Sequence, residues 1–177
     1  MTIFAAERRI VMEGWKQWLS LRMRSGDVCM EYMRHLQESI CRTDFFDLCL
    51  DVNGMEFLCE MSARDEGLPY ESIKEDFSRY INGQYEARHG DGDVRYTSEM
   101  WLGRRGGEIH LTNTATLLLD CKDVNVVVPD SFVGILYVDD RSSVSVDCPA
   151  RSMLYVNVYG DGNALCIGGK NVHVERR

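Results

Sequence analysis

The stretch from Ala115 to Val174 repeats itself with a period of 20 residues, and this repeat constrains the fold more than any other feature. Segments beginning at Thr116, Leu136 and Val156 align without gaps. Of 15 alternate positions in the three segments, 13 are apolar, and only Thr116 and Gly168 are not. The clearest apolar columns are Leu118, Val138 and Val158; Val124, Val144 and Ala164; and Val126, Val146 and Cys166.

Apolar residues at every second position indicate strands with one buried face. Turn residues separate two strands within each unit, at 120–123, 140–143 and 160–163. Two architectures fit this unit. In a short parallel β-solenoid the columns stack about 4.8 Å apart into a continuous apolar interior. In an antiparallel β-meander or sandwich each unit is a hairpin. Equal unit lengths favour the solenoid, because stacked coils need their corners in register.

The opposite face of these strands is only partly polar. Leu117, Leu119, Tyr137 and Tyr159 occupy positions between the inward columns, where a solvent-facing strand carries polar residues. We therefore expect another part of the chain to cover this portion of the outer face.

The first half of the chain has helical periodicity. An amphipathic helix is predicted over residues 4–24, and Asp27 is a suitable N-cap for a second helix. Two shorter helices follow over 44–50 and 55–64, separated by a turn at Asn53-Gly54.

The fold class is therefore predicted as α+β, with a helical domain over 1–94 and a β-repeat domain over 95–177. Strands are expected at 95–102 and 108–112, on either side of a glycine-rich turn that separates the domains. The helical domain is expected to cover one end of the solenoid. At the other end the last strand, 172–177, is expected to self-associate or to dock a protein partner, since strand edges carry unpaired backbone groups.

Residues 57–81, within the segment 55–82, resemble the helix-turn-helix of many DNA-binding regulators. Ala63, Gly67 and Ile73 stand at the packing and turn positions of that motif. Residues 55–80, however, carry seven acidic and three basic side chains, which disfavours approach to phosphates. Helical packing without DNA is the preferred interpretation, and DNA contact is the alternative. The second helix would present Tyr70, Glu71, Lys74, Glu75, Ser78 and Arg79.

The charge of the chain is −8 and is unevenly distributed. Residues 1–26 carry five basic and two acidic side chains, whereas residues 27–103 carry seven basic and seventeen acidic ones. This acidic surface disfavours non-specific binding of nucleic acid. Trp15 and Trp18 lie beside the basic residues and could anchor a helix at a membrane, but they share their face with ordinary core residues, which favours burial.

Seven cysteines are present, an odd number without CxxC spacing, which indicates reduced thiols packed in the interior of a cytoplasmic protein rather than a zinc site. No run reaches the roughly 18 apolar residues of a membrane span, and the start of the chain does not have the pattern of a secretory signal. The cysteines are Cys29, Cys41, Cys49, Cys59, Cys121, Cys148 and Cys166.

The sequence contains no recognised catalytic motif, and no catalytic, cofactor-binding or metal-binding residue is predicted. Asp91 and Asp93 could hold calcium, but the glutamate of an EF-hand loop is missing, so a solvated loop is expected. The adjacent pair Asp139 and Asp140 is expected to be a solvated turn. The histidines, His35, His89, His110 and His173, are widely spaced.

The stretches Tyr80-Ile-Asn-Gly-Gln-Tyr85 and Tyr96-Thr-Ser-Glu-Met-Trp101, followed by a short valine-rich β region, resemble small proteins encoded by prophages and mobile elements of Bacteroidales. The resemblance implies no active site, and no residue role is transferred from it. The function expected from the whole sequence is a non-enzymatic interaction or assembly module, a homo-oligomer in the bacterial cytoplasm. The alternative is a DNA-binding regulator that uses residues 57–81.

Overall fold

A computed structural model describes residues 34, 49–64, 68–76, 78, 83–88 and 95–177, with the backbone alone at 72, 76, 83–88 and 95–97. The chain divides into two compact units, Met1–Leu48 and Cys49–Arg177. Of the first unit, only Arg34, in a helix, is described. The predicted helices over 4–24 and after Asp27, and most of the helix predicted over 44–50, therefore lie outside the described residues.

Among the described residues of the second unit, two helices precede the β region: α1 (Val52–Ser62) and α2 (Tyr70–Asp76). Asp51 is the N-cap of α1, and its side chain accepts a hydrogen bond from the amide of Asn53 at 3.2 Å. The turn predicted at Asn53-Gly54 is wrong, because this cap starts the helix early enough to include both residues. Both helices belong to the same compact unit as the β region.

Ten strands follow within the described ranges, nearly all of them in parallel pairs. The strands are β1 (Gly83–Arg88), β2 (Arg95–Leu102), β3 (Glu108–His110), β4 (Ala115–Leu119), β5 (Lys122–Val127), β6 (Val133–Val138), β7 (Ser143–Asp147), β8 (Met153–Val158), β9 (Asn163–Ile167) and β10 (Val172–Arg176). Sheet A has the order β1-β2-β4-β6-β8-β10, and sheet B has the order β3-β5-β7-β9.

Successive strands alternate between the two sheets, so the chain winds into a β-solenoid with one strand of each sheet per coil. Val124 pairs with Val144, and Val144 with Ala164, which confirms the predicted stacking. These residues and the other inward columns form one buried apolar cluster between the sheets. The alternative of antiparallel hairpins is wrong for the repeats. Among the described strands, only β1 and β2 pair antiparallel.

The solenoid starts earlier than the 20-residue repeat indicates. Ser98 on β2 pairs in parallel with Ala115 on β4, so β2 and β3 already form a coil. The turn at 103–107, predicted to separate two domains, is therefore a corner within the solenoid. The glycines at this corner have positive φ angles of 68°, 67° and 80°, which suit glycine far better than other residues; they are Gly103, Gly106 and Gly107.

Helix α1 lies against β4 and β6 of sheet A. Leu117 and Tyr137 point away from the solenoid interior, yet both are buried. The predicted cover over the outer face is thus confirmed. The expectation that helices cover an end of the solenoid is wrong for α1. This helix packs on the outer face of sheet A, because the apolar residues there provide a contact surface. At the edge of sheet A, β2 is covered by β1.

Candidate functional site

The corner between β6 and β7 contains a buried carboxyl group. Asp139 has 0% of its surface exposed and accepts hydrogen bonds from the Tyr70 hydroxyl and the Ser142 hydroxyl, both at 2.5 Å. The amide of Asp120 donates to both carboxyl oxygens, at 3.1 and 3.2 Å. The carboxyl group therefore joins the start of α2 to two consecutive corners of the solenoid.

A second contact links the end of α1 to the same corner. The hydroxyl of Ser62 accepts a hydrogen bond from the amide of Asp140 at 3.0 Å and donates to the carbonyl of Cys59 at 2.7 Å. The side chain of Asp140 in turn accepts from the amide of Asp161 in the next coil, at 2.7 Å. Helix α1 is consequently fixed to the corners as well as to the outer face of sheet A.

Burial perturbs the titration of this cluster. Loss of solvent raises the pKa of Asp139, although its hydrogen bonds to Ser142 and Tyr70 favour the ionised form. Burial, and then the negative charge of Asp139, raise the pKa of the Tyr70 hydroxyl far above its usual range. The guanidinium of Arg141 lies 4.3 Å from the centre of the Tyr70 ring, a cation–π contact that covers the ring from outside.

The solvated turn predicted at Asp139-Asp140 is wrong for Asp139. Its column contains Leu119 and Tyr159, which are also buried, because the helical segment packs over these corners. The oxygens of Asp139 accept hydrogen bonds from groups of the chain itself, and the residue is completely buried. The cluster is thus an anchor that holds α1 and α2 on the solenoid.

A second buried carboxyl group lies inside the solenoid. Glu99 on β2 is 2% exposed and accepts a hydrogen bond from the hydroxyl of Thr116 at 2.9 Å. Burial raises the pKa of Glu99, while the hydrogen bond from Thr116 favours its ionised form. Thr116 is one of the two inward repeat positions that are not apolar. The hydrogen bond from its hydroxyl to Glu99 explains why a polar residue is accommodated there.

In the segment that resembles a helix-turn-helix, some of the described residues are buried and others are exposed to solvent. Ile73 is buried, as the motif requires of the residue that packs on the first helix. Ala63, assigned to the close contact between helices, is exposed. Glu71, Lys74 and Glu75 of α2 are exposed, so its described outer surface carries more acidic than basic side chains. Gly67, Arg79 and Ile81 lie outside the described residues.

The C-terminal end of the solenoid exposes apolar side chains. Leu165 and Ile167 on the outer face of β9 are 62% and 54% exposed, and Val174 on β10 is 45% exposed. Along sheet B the preceding strand carries Ser145 and Asp147 at the positions that pair with Leu165 and Ile167. The outer face thus changes from polar to apolar at its last strand.

Strands β9 and β10 are also the terminal strands of their sheets. Within the part of the chain that the structure describes, no strand pairs with their outer edges. Arg176 lies across this end and donates hydrogen bonds to the Gly162 carbonyl and the Asn163 side chain, both at 3.2 Å. Arg177 forms ion pairs with Glu56 of α1 and with Glu175, which holds the end of β10 against the helix.

The backbone groups of β10 alternate in direction. The amide of Arg177 donates to the Val158 carbonyl at 2.9 Å, and its carbonyl accepts from the Gly160 amide at 3.0 Å. The carbonyl of Asn171 accepts from the amide of Leu154 at 3.1 Å. Odd-numbered residues thus bind β8. Because alternate residues of a strand direct their backbone groups to opposite sides, the even-numbered ones direct theirs to the free edge: Val172, Val174 and Arg176.

The described cysteines are free thiols, as predicted. Cys49, Cys59, Cys121 and Cys148 are buried, and Cys166 is partly buried. Burial raises the pKa of Cys121 to about 11, so this thiol stays protonated. Cys29 and Cys41 lie outside the described residues.

No group of three or more potential metal ligands occurs among the described residues. His110 lies 3.2 Å from Glu108, and His173 stacks on Tyr155 with ring centres 5.1 Å apart. The structure does not describe Asp91, Asp93, His35 or His89, so the calcium site considered for Asp91 and Asp93 lies outside the described residues.

None of the helices in the described ranges is long and apolar enough to cross a membrane.

Comparison with known proteins identifies no relative: no family model, no curated protein and no solved structure matches the chain.

Proposed function

We propose that this protein is a non-enzymatic interaction or assembly module that docks another polypeptide at the C-terminal end of its solenoid. The free edges of β9 and β10, beside the exposed apolar side chains of β9, carry the proposal. Unpaired strand edges provide rows of backbone donors and acceptors, to which a partner adds a strand. The free, mainly buried cysteines support a place in the bacterial cytoplasm.

The rigidity of the scaffold supports the same role. Each of the strands β4 to β8 is hydrogen-bonded to a neighbouring strand on both of its edges, and the two buried anchors at Asp139 and Ser62 attach α1 and α2 to the solenoid. A preformed edge loses little conformational freedom when a partner binds, so more of the contact energy remains for affinity.

A photo-cross-linking amino acid at Leu165 tests the proposal in cells that produce the full chain. We expect a cross-linked polypeptide from position 165, and none from the control position Asp130, an exposed corner residue of an inner coil. The cross-link should also disappear when Val174→Pro removes a backbone donor from the adjacent edge. Equal labelling at both positions, or no labelling at 165, would refute the proposal.

DNA binding through residues 57–81 remains the alternative, and the exposed Lys74 is the described side chain that would contact phosphates. Salt-dependent retention on duplex DNA, lost on replacing Lys74 and Arg79 with glutamate, would favour that function. The exposed acidic neighbours Glu71 and Glu75 favour the interaction module instead.

A further inference from the structure

We infer that the polypeptide docked at this end is a second copy of the same chain, paired through antiparallel β10 strands about a two-fold axis at Val174. This inference rests on the proposed function and names the partner. It follows from the directions of the backbone groups and from the order of the side chains along β10.

The backbone of β10 is self-complementary in one register. Its free edge presents the amide and carbonyl groups of Val172, Val174 and Arg176. An antiparallel pair centred on Val174 places Val172 opposite the Arg176 of the second copy and Val174 opposite its own equivalent. Each of these residues then exchanges two hydrogen bonds with the residue opposite, about six in all. Registers shifted by two residues form fewer bonds, about four, and a shift of one residue places the free-edge groups opposite residues whose backbone groups already bind β8.

The side chains fit the same register. Positions 173 and 175 on the outer face become opposite, so His173 of each copy meets Glu175 of the other. His173 and Glu175 are both exposed in the single chain. A histidine opposite a glutamate is a favourable cross-strand pair, which the two-fold axis repeats.

The apolar interior continues across this pair. Val174 is paired with Val156, whose side chain is fully buried in the solenoid. Val174 thus belongs to an inward column but remains 45% exposed, because the column ends there. In the paired arrangement the two Val174 side chains lie against each other and cover the ends of both columns. Burial of this exposed apolar surface adds a hydrophobic contribution to the backbone pairing.

Sedimentation equilibrium of the full chain tests the inference. We expect the wild-type protein to reach twice its chain mass of 20.3 kDa at micromolar concentration. Val174→Pro removes the amide that both central hydrogen bonds require, without removing a bond to β8, and should yield a monomer. Val174→Thr retains the amide and the branched shape, so it serves as the matched control and should stay dimeric.

A charge exchange tests the register itself. His173→Glu places glutamate opposite glutamate at both symmetric positions and should weaken dimerisation about tenfold. Adding Glu175→Lys to His173→Glu restores opposite charges across the axis and should restore the dimer. Such rescue requires residue 173 to face residue 175 of a second copy. Thermal unfolding of each variant checks that it still folds. This control is needed because Glu175→Lys also removes the ion pair between Glu175 and Arg177 of the same chain.

The inference is overturned by a wild-type monomer at high micromolar concentration, by an unaffected Val174→Pro dimer, or by failure of the double variant to recover. These results differ from failure of the proposed function. Cross-links from position 165 to a different protein, with a monomeric wild-type chain, would exclude the second copy as partner and leave the docking role intact.

Discussion

At the scale of single residues, the Asp139 carboxyl group links the helices to the solenoid, and Tyr70 is its contact on α2. Tyr70→Phe removes the hydroxyl that donates to Asp139 at 2.5 Å. Since the buried carboxyl group then lacks one of its donors, we expect the free energy of unfolding to fall by about 1–3 kcal/mol. Urea unfolding followed by circular dichroism measures this change.

Tyr155→Phe is the matched control, because Tyr155 is 45% exposed on the outer face of sheet A. Loss of its hydroxyl should change the free energy of unfolding by less than about 0.5 kcal/mol. Equal effects of the two substitutions would show that Tyr70 has no special role as an anchor.

Two buried carboxyl groups had indirect signals in the sequence. Asp139 lies in a column with Leu119 and Tyr159, and those apolar outer residues already indicated a cover. A carboxyl group under the same cover was therefore predictable in principle. Glu99 pairs with Thr116, the polar residue among apolar inward positions. The Tyr70 donor to Asp139 could not be identified in advance, because the two residues are 69 positions apart and periodicity carries no information about such contacts.

At the scale of the elements, the contact between α1 and the outer face of sheet A is open to a direct test. Leu117 points away from the solenoid interior, so an uncovered sheet would accept a polar residue there. Because α1 packs over this region and Leu117 is fully buried, Leu117→Ser should lower the free energy of unfolding by about 3–4 kcal/mol. Denaturant titration provides the measurement.

Val133→Ser provides the comparison for Leu117→Ser. Val133 also lies on sheet A and is 61% exposed, so its replacement should alter stability by no more than about 0.5 kcal/mol. If Leu117→Ser proved as mild as Val133→Ser, the packing of α1 on this face would be contradicted.

The sequence repeat reveals only those coils of the solenoid that have the same length. Residues paired along the inner coils are 20 apart, as from Ala115 to Ile135. The first coil brings Ser98 beside Ala115, 17 residues away, and the last pairs Leu154 with Val172, 18 residues away. Hydrogen bonding between coils requires aligned strands but tolerates shorter corners. A search for a fixed period therefore detects the middle of the solenoid and misses its first coil.

At the scale of the whole molecule, the sequence predicted the solenoid, its interior and the need for a cover, but not the position of the helices. Helical periodicity shows that one face of α1 is apolar, yet the same face could pack on an end or on a sheet. The choice depends on contacts between distant segments, such as Ser62 with Asp140, which have no local sequence signal.

The contribution of Glu99 and Asp139 to the stability of the whole molecule should decrease as the pH rises above about 4. Burial raises the pKa of Glu99 and Asp139 in the folded state, whereas unfolded carboxyl groups titrate near pH 4. Between the unfolded and the folded pKa, the folded state binds more protons, so each increase in pH favours unfolding. The stabilising effect of protonation is complete below the unfolded pKa and is lost once the pH exceeds the folded pKa.

Glu99→Gln separates the contribution of the solenoid interior from that of the Asp139 cluster. The amide oxygen can still accept from Thr116, and no charge has to be buried. We therefore expect a higher melting temperature than that of the wild type at pH 7 and little difference at pH 4, measured by calorimetry at both pH values. Glu108→Gln, at an exposed carboxyl group of the same coil, controls for the loss of one negative charge. A Glu99→Gln protein less stable than the wild type at pH 7 would mean that hydrogen bonds to the ionised carboxylate outweigh its loss of solvation.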